Sequence, residues 1–250
     1  MLNSNKSKFF ILFILMVSTP CIVFSAPLDN VKIGRMKVTI MPEYDSPAVL
    51  VIQEGKFADK NIFPREVTFS LPKGVTKLTD VCSLSPGGQH FCQLFDIVKG
   101  EKTNYINVKL PFSDFFIDYQ YAPFAVKENS ERNFTYNIET KYAAQIVEVH
   151  VQKPFRSDQF QINPLGTEYE KDEFKFYKYE FKDVKAGEDI KFSVSYYKSD
   201  VLPSVDIKYS SMSTPNVFKG YTGEIALGLG ITALGIMLIY RKKKKGINNE

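Results

Sequence analysis

The chain has 250 residues, of which 44% are hydrophobic and 14% are aromatic, and this composition excludes an intrinsically disordered protein. The formal net charge is +4, but the basic residues concentrate at the two ends. The middle is left close to neutral, which excludes a strongly basic surface for nucleic acid. Twenty-one Phe and 14 Tyr, with no Trp, favour strands over helices.

Residues 1–26 predict a secretory signal peptide. Two lysines precede an uninterrupted apolar run at 9–17, and Pro20 breaks the helix before a cleavage region. We expect cleavage after Ser25. The alternatives are an uncleaved anchor, for which the run is short, and a lipoprotein signal at Cys21, whose preceding residues do not fit that pattern.

Alternation with period two recurs through the middle of the chain and predicts β-strands. One clear example is Val67, Phe69 and Leu71, which alternate with polar residues. Turn residues separate runs spaced about ten residues apart, and no long helical period occurs. The pattern predicts two antiparallel Ig-like or fibronectin-III-like β-sandwiches, residues 27–122 and 123–209. A single large β domain is the alternative.

Cys82 and Cys92 predict a disulfide-bonded hairpin. Pro-Gly-Gly at 86–88 lies midway between them and is a strong turn signal. Folding the chain at that turn places the two cysteines directly opposite each other. Cys21 leaves with the signal peptide, so an even number of cysteines remains in an oxidising compartment. A redox-active pair is the alternative, but the spacing differs from Cys-x-x-Cys.

The C-terminal part predicts a membrane anchor. Residues 210–221 are rich in Ser, Thr, Pro and Gly and predict a flexible stalk. Residues 222–240 predict a transmembrane helix, because positions 225–240 carry no charge. The basic tail, 241–250, predicts a cytoplasmic C-terminus. We therefore expect a single-pass, type I protein of the plasma membrane, with its N-terminal domain outside.

Small residues within this apolar segment predict helix–helix contacts. Gly228, Thr232 and Gly235 recur at a spacing that places them on one helix face. Small side chains there allow two helices to approach closely. We expect self-association through these three residues, besides the contact with the lipid bilayer.

Thr222-Gly223-Glu224, the apolar stretch and the basic tail together resemble a Gram-positive sortase sorting signal. In that family the motif begins with Leu-Pro, where this chain has Lys219 and Gly220. The resemblance covers about 30 residues. It implies cell-wall anchoring as an alternative to retention in the membrane.

Four aromatic residues predict a candidate ligand surface: Phe174, Phe176, Tyr177 and Tyr179. The alternation slips between Phe176 and Tyr177, which indicates a β-bulge that turns side chains outward. Exposed aromatic rings bind sugars, peptides and proteins. The alternative is that these rings belong to the core.

No catalytic, metal-binding or cofactor-binding motif is present in the sequence. His90 and His150 are expected to be solvated surface residues, without partners for a zinc site. Short acidic clusters are expected to be solvated turns. These clusters are Glu43 with Asp45, Glu168 with Glu170, and Asp172 with Glu173.

The sequence thus predicts a membrane-anchored extracytoplasmic protein without enzymatic activity, which acts as a binding or adhesion module or as an accessory subunit of a membrane complex. We expect a protein partner in the cell envelope and no cofactor. The alternative is an envelope hydrolase that uses a carboxylate pair on a sugar or peptide. An unpaired sheet edge or an exposed aromatic patch would favour binding. A deep cleft with two carboxylates would favour the hydrolase.

Overall fold

The computed structural model describes residues 31–206, which consist mainly of β-strands. Within this range the single helical element is a 3-10 turn, Lys60–Ile62. The strands in chain order are β1 (Lys32–Pro42), β2 (Val49–Phe57), β3 (Arg65–Leu71), β4 (Val75–Leu84), β5 (His90–Cys92), β6 (Phe95–Lys99), β7 (Asn104–Leu110), β8 (Asp114–Tyr121), β9 (Ser130–Glu139), β10 (Ala143–Gln152), β11 (Ser157–Asn163), β12 (Thr167–Lys171), β13 (Phe174–Val184) and β14 (Asp189–Lys198). The predicted β-rich class is confirmed.

The C-terminal transmembrane helix is the part of the fold prediction that the structure contradicts. No helix between residues 31 and 206 is long and apolar enough to cross a membrane. The membrane and single-pass assignments are therefore not supported. Both assignments were based on the length of an uncharged apolar run and on the basic residues that follow it. These features indicate whether a segment prefers lipid, but they do not determine its structure. All the predictions for the two termini fall on residues outside the described range: the signal peptide (1–26), the stalk (210–221), the helix (222–240) with Gly228, Thr232 and Gly235, and the tail (241–250).

The strands form three sheets. Sheet A has eight strands in the order β12-β13-β10-β1-β2-β8-β4-β5, sheet B has the order β3-β7-β6, and sheet C has the order β11-β14-β9. Neighbouring strands are antiparallel except β1 and β10, which run parallel in the middle of sheet A. The long connection between these two strands brings distant parts of the chain into one sheet.

The predicted boundary between residues 27–122 and 123–209 falls in the connection between β8 and β9. Sheet B comes entirely from the N-terminal side of this boundary, and sheet C comes entirely from the C-terminal side. Sheet A contains strands from both sides, joined by the pairing of β1 with β10. The division into two sandwiches remains a prediction.

One face of sheet A is apolar because β-branched residues alternate along its central strands. Val38 on β1 pairs with Val149 on β10, and Ile40 pairs with Val51 on β2. All four side chains are fully buried. Burying an apolar side chain of this size contributes about 1.5–3 kcal/mol, so this face supplies much of the driving force for folding.

Aromatic rings hold sheets B and C against the apolar face of sheet A. The ring of Phe69 on β3 lies 4.9 Å from that of Phe115 on β8. The ring of Phe192 on β14 lies 4.8 Å from that of Tyr179 on β13. These contacts place the core between sheet A and the two smaller sheets, and they leave the opposite face of sheet A available for polar groups.

A buried charge cluster joins the end of β1 to sheet C. Glu43 accepts hydrogen bonds from Arg132 Nε at 3.2 Å, Tyr196 Oη at 2.8 Å and Lys198 Nζ at 3.2 Å. Glu43, Arg132 and Lys198 are all fully buried. The expectation that Glu43 lies in a solvated acidic turn is therefore wrong. Its cationic partners are 89 and 155 residues away in the sequence, where no local pattern connects them.

The segment 200–206 covers this cluster after β14 ends. Ser204 donates its backbone N–H to the carbonyl of Glu43 at 2.7 Å, and Val205 donates to the carbonyl of Tyr44 at 2.8 Å. The side chain of Lys198 also bonds to the carbonyl of Leu202. This segment therefore excludes water from the charges beneath it.

Candidate functional site

The predicted hairpin is formed by β4 and β5 at the edge of sheet A. Its register has Cys82 opposite Cys92, Ser83 opposite Phe91 and Leu84 opposite His90. The predicted disulfide joins the two cysteines. Because Cys92 is fixed to β4, the residues that follow it start from a defined position on the surface.

The aromatic residues predicted as a ligand surface lie on β13. Phe174, Phe176 and Tyr179 are buried, and Tyr177 is half-buried. The pairing of β13 with β10 is unbroken at Phe176 and Tyr177, so these two residues simply point to opposite faces of the sheet. The ring of Phe155 stacks on that of Phe174 with a centroid distance of 4.1 Å. Little aromatic surface is therefore accessible at this position.

Large apolar side chains are exposed elsewhere, between the disulfide hairpin and β6. The exposed fractions are 42% for Phe91, 98% for Leu94, 52% for Ile97 and 46% for Val98. All four lie within one short stretch of chain, residues 91–98. We call these four residues the apolar edge.

The apolar edge lies where the core of the protein ends. β6 is the last strand of sheet B and pairs on one side only, with β7. Ile97 lies opposite Ile106, which is fully buried. Ile97 therefore points toward the core side of sheet B but extends beyond the cover of sheet A. The side of β6 away from β7 has no strand partner among residues 31–206.

Three other edge strands in the described chain, β12, β11 and β3, carry features that discourage pairing. On β12, Glu168, Glu170 and Lys171 supply charges. A shift in register interrupts β11. On β3, the backbone N–H of Thr68 is already bonded to Tyr142 Oη at 2.9 Å. β6 also carries charges, on Asp96 and Lys99, but it differs from these edges in exposing two large apolar side chains, Ile97 and Val98.

The sequence contained one signal for this surface. Ile97 and Val98 are adjacent apolar residues, and neighbouring residues of a strand point to opposite faces. Only one face of a three-stranded outer sheet packs against the core. The side chain of either Ile97 or Val98 therefore had to be exposed on the other face. Identifying the exposed edge itself required knowledge of strand order, which alternation does not provide.

A charged cleft of about 500 Å³ lies on the polar face of sheet A. Arg35 Nη2 contacts Glu148 Oε2 at 2.6 Å, and Lys37 Nζ contacts Glu54 Oε1 at 2.7 Å. These ion pairs cross neighbouring strands and are part of the wall of the cleft. The pKa of Glu148 is lowered to about 2, so this carboxylate is ionised near neutral pH and does not suit the role of a proton donor in catalysis.

His150 adjoins this cleft and is buried, contrary to the solvated position expected from the sequence. Its Nδ1 bonds to Tyr169 Oη, and its Nε2 lies 3.1 Å from Glu148 Oε1. Burial alone would raise the pKa of Glu148. The hydrogen bonds from His150 and Arg35, together with the positive charge of Lys178, outweigh it and lower that pKa to about 2. The histidine serves to hold a carboxylate in place.

A pair of opposed carboxylates occurs on the same face of sheet A. Asp80 on β4 lies opposite Asp118 on β8, and the backbone N–H of Asp80 donates to Asp118 Oδ1 at 2.7 Å. Burial raises the pKa of Asp118 to about 6, and the charge of Asp80 adds to the shift. Asp118 is only 1% exposed, so a substrate has no access to it. This pair does not form the open carboxylate site that a hydrolase needs.

The raised pKa of Asp118 predicts a pH-dependent effect of substitution. The folded pKa is above the unfolded value, so the stability linked to this proton is present below pH 3.8 and is lost as the pH rises through about 6. Asp118→Asn keeps the acceptor for Asp80 and removes the titration. We expect the melting temperature of the variant, relative to wild type, to be higher at pH 8 than at pH 4. An equal difference at both pH values would contradict the assignment.

Asp80 also lies close to the sulfur atoms of Cys82 and Cys92. Both sulfurs are joined in the disulfide and supply no thiolate. The group therefore offers one carboxylate to a cation, which is too few ligands for a metal site.

Comparisons with known proteins add little to this geometry. No family model and no curated protein matches the chain. The chain is similar to the crystal structure of a "putative protease" from Parabacteroides distasonis, with 9% identity and a TM-score of 0.40. The similarity covers 66% of this chain and 40% of that one. At this TM-score it carries no argument about fold or activity.

Proposed function

We propose that this chain is an extracytoplasmic binding protein that captures an extended segment of a partner protein along β6. The observation that carries the proposal is the apolar edge, in which Phe91 and Leu94 precede, and Ile97 and Val98 belong to, a strand with one unpaired side. A strand added to this side would satisfy backbone hydrogen-bonding groups. Its side chains would cover apolar area that now faces water.

The energetics favour an apolar partner segment. Full burial of a Leu, Ile or Phe side chain contributes about 1.5–3 kcal/mol. Leu94 is 98% exposed and would gain most of that amount, whereas the other three would gain a part of it. Four such residues within one stretch of the chain, 91–98, can together offset the cost of ordering an extended segment, which an isolated exposed residue cannot.

The extracytoplasmic location is supported by the disulfide between Cys82 and Cys92. Structural disulfides persist in oxidising compartments and are rare where thiols are kept reduced. The same bond anchors the start of the apolar edge, because Phe91 is the residue before Cys92. The disulfide therefore supports two parts of the proposal: the extracytoplasmic location, and the fixed position at which the apolar edge begins.

We expect Ile97→Lys to weaken capture of the partner segment about tenfold or more. A lysine at this position places a charge where an added strand would bury apolar area, and it blocks edge pairing as charged edge residues do in other sheets. A library of displayed extended peptides is selected on the full wild-type chain, and the affinities of the selected peptides are measured for both proteins. A tenfold loss of peptide affinity corresponds to about 1.4 kcal/mol of binding free energy.

Leu165→Lys provides the matched control, because Leu165 is 82% exposed and lies apart from β6 in the sequence and on another edge of the fold. The selected peptides should bind this variant as tightly as wild type. Equal binding to Ile97→Lys and wild type would overturn the proposal. Concentration-dependent dimerisation of wild type that Ile97→Lys removes, without capture of any peptide, would show that the occupant is a second copy of this chain and would also overturn it.

A further inference from the structure

The outward face of sheet C carries two rows of neutral hydrogen-bonding side chains. The rows run across β9, β14 and β11, and their members face each other in register. One row is Asn133, Ser195 and Gln161, and the other is Thr135, Ser193 and Asn163. None of the six carries a charge, although charged residues make up 24% of the chain.

These six side chains are free to bind a ligand. Each is at least partly exposed to solvent. Within residues 31–206, no hydrogen bond or ion pair joins any of these six side chains to another part of the protein, although the backbone carbonyl of Thr135 accepts from Tyr121 Oη. On the polar face of sheet A, by contrast, opposite charges such as Arg35 and Glu148 neutralise each other. The donors and acceptors of the two rows are therefore available.

The rows line a shallow groove. A depression of about 230 Å³ contains Asn133, Gln161 and Asn163, with the two serines between them. A second depression of about 120 Å³ shares Gln161 and continues to Tyr197. The two depressions adjoin at Gln161 and Ser195 and together cross three strands, whereas Thr135 lines neither of them.

The concavity has a local cause in β11. The register with β14 shifts between Asp158 and Gln161, and Gln159 has a φ of 51°. A bulge of this kind bends its strand and increases the local twist. Regular pairing of β11 resumes directly after the bulge, at Gln161, which lies opposite Ser195 of β14.

The chemistry of the groove selects its ligand. An Asn or Gln amide offers two donors and one acceptor group, and a serine or threonine hydroxyl both donates and accepts. Neighbouring hydroxyl groups of a sugar have the matching capacity. The half-buried ring of Tyr197 at one end offers a flat apolar surface to the C–H face of a sugar ring. Glu131 and Asp158 flank that ring, being paired opposite it, and would repel an anion.

We propose that this groove binds a short neutral oligosaccharide. The amides of Asn133, Gln161 and Asn163 bond to the sugar hydroxyls, and Tyr197 packs against one ring. The site lies on sheet C and uses none of the residues of the apolar edge on sheet B. Evidence for or against oligosaccharide binding therefore does not bear on the capture of a protein segment.

The test is an immobilised panel of oligosaccharides with neutral members (gluco-, manno-, galacto- and xylo-oligosaccharides) and anionic members (uronic-acid and sulfated chains). We expect the full wild-type chain to bind at least one neutral class. Raising the salt concentration to about 0.5 M should leave this binding intact, because it involves no charge pairing. The double variant Asn133→Ala with Gln161→Ala should bind the same oligosaccharide with an affinity about tenfold or more below that of wild type.

Asn137→Ala is the matched control, since Asn137 is exposed on the same strand but lies outside the groove. It should bind as wild type does. Three outcomes would overturn the proposal: no neutral oligosaccharide is bound, only anionic ones are bound, or the double variant binds as tightly as wild type. Unchanged unfolding of the double variant shows that a loss reflects the groove rather than the fold.

Discussion

Glu43→Ala should lower the free energy of unfolding by about 3–5 kcal/mol. The substitution leaves Arg132 and Lys198 buried, with Asp200 as the remaining carboxylate near Lys198 at 3.3 Å. Two buried cations then face one partly exposed anion. The full cost of an uncompensated charge falls on the folded state, because both cations are hydrated in the unfolded chain.

Urea unfolding of the full chain measures this effect, with tyrosine fluorescence as the probe because the chain has no Trp. Glu54→Ala is the matched control, since Glu54 also pairs with a lysine, at 2.7 Å, but its side chain is 44% exposed. The free energy of unfolding of this control variant should fall by less than about 1 kcal/mol. If both variants lost the same amount, Glu43 would not be the centre of a buried cluster.

Replacing both Cys82 and Cys92 by Ala should lower the free energy of unfolding by at least about 2.5–3 kcal/mol, the contribution of the bond alone. The disulfide closes a short loop and restricts the unfolded chain, and the entropy model gives this amount for a loop of about 11 residues. The loss should be accompanied by weaker capture of a partner segment, because residues 91–98 are no longer fixed to β4. Urea unfolding with and without dithiothreitol measures the first effect.

Wild type treated with dithiothreitol should unfold at a lower urea concentration than untreated wild type but not below the double variant, because reduced Cys82 keeps its buried side chain. Dithiothreitol should leave the double variant unchanged. An unfolding midpoint of wild type that does not respond to reduction would contradict a stabilising role of this bond. Since Cys82 packs in a small cluster with Leu50 and Phe116, the single variant Cys92→Ala separates the loss of the bond from the loss of buried volume.

Local features of the fold were predictable from the sequence. The alternation of Val67, Phe69 and Leu71 locates β3, because a half-buried strand requires period two. The turn at 86–88 fixes the register that places Cys82 opposite Cys92. The strand and the hairpin register are both determined by residues close together in the chain, because turn residues and the alternation of side chains along a strand are local properties.

Features that depend on distant contacts were not predictable. The pairing of β1 with β10 joins residues more than a hundred positions apart, and nothing local specifies it. The burial of Glu43 depends on Arg132 and Lys198, which arrive from other strands. The exposure of Ile97 depends on where sheet A ends. On β13, Phe176 and Tyr177 follow each other in a regular strand, although their sequence suggested a bulge.

The most direct test of the central claim is amide hydrogen exchange of the full chain, with and without a peptide selected on it. If an extended segment adds to β6, exchange should slow most strongly at Phe95–Lys99, because backbone groups on the open side of this strand become hydrogen-bonded. Unchanged exchange at β6, with protection confined to another part of the chain, would contradict the account.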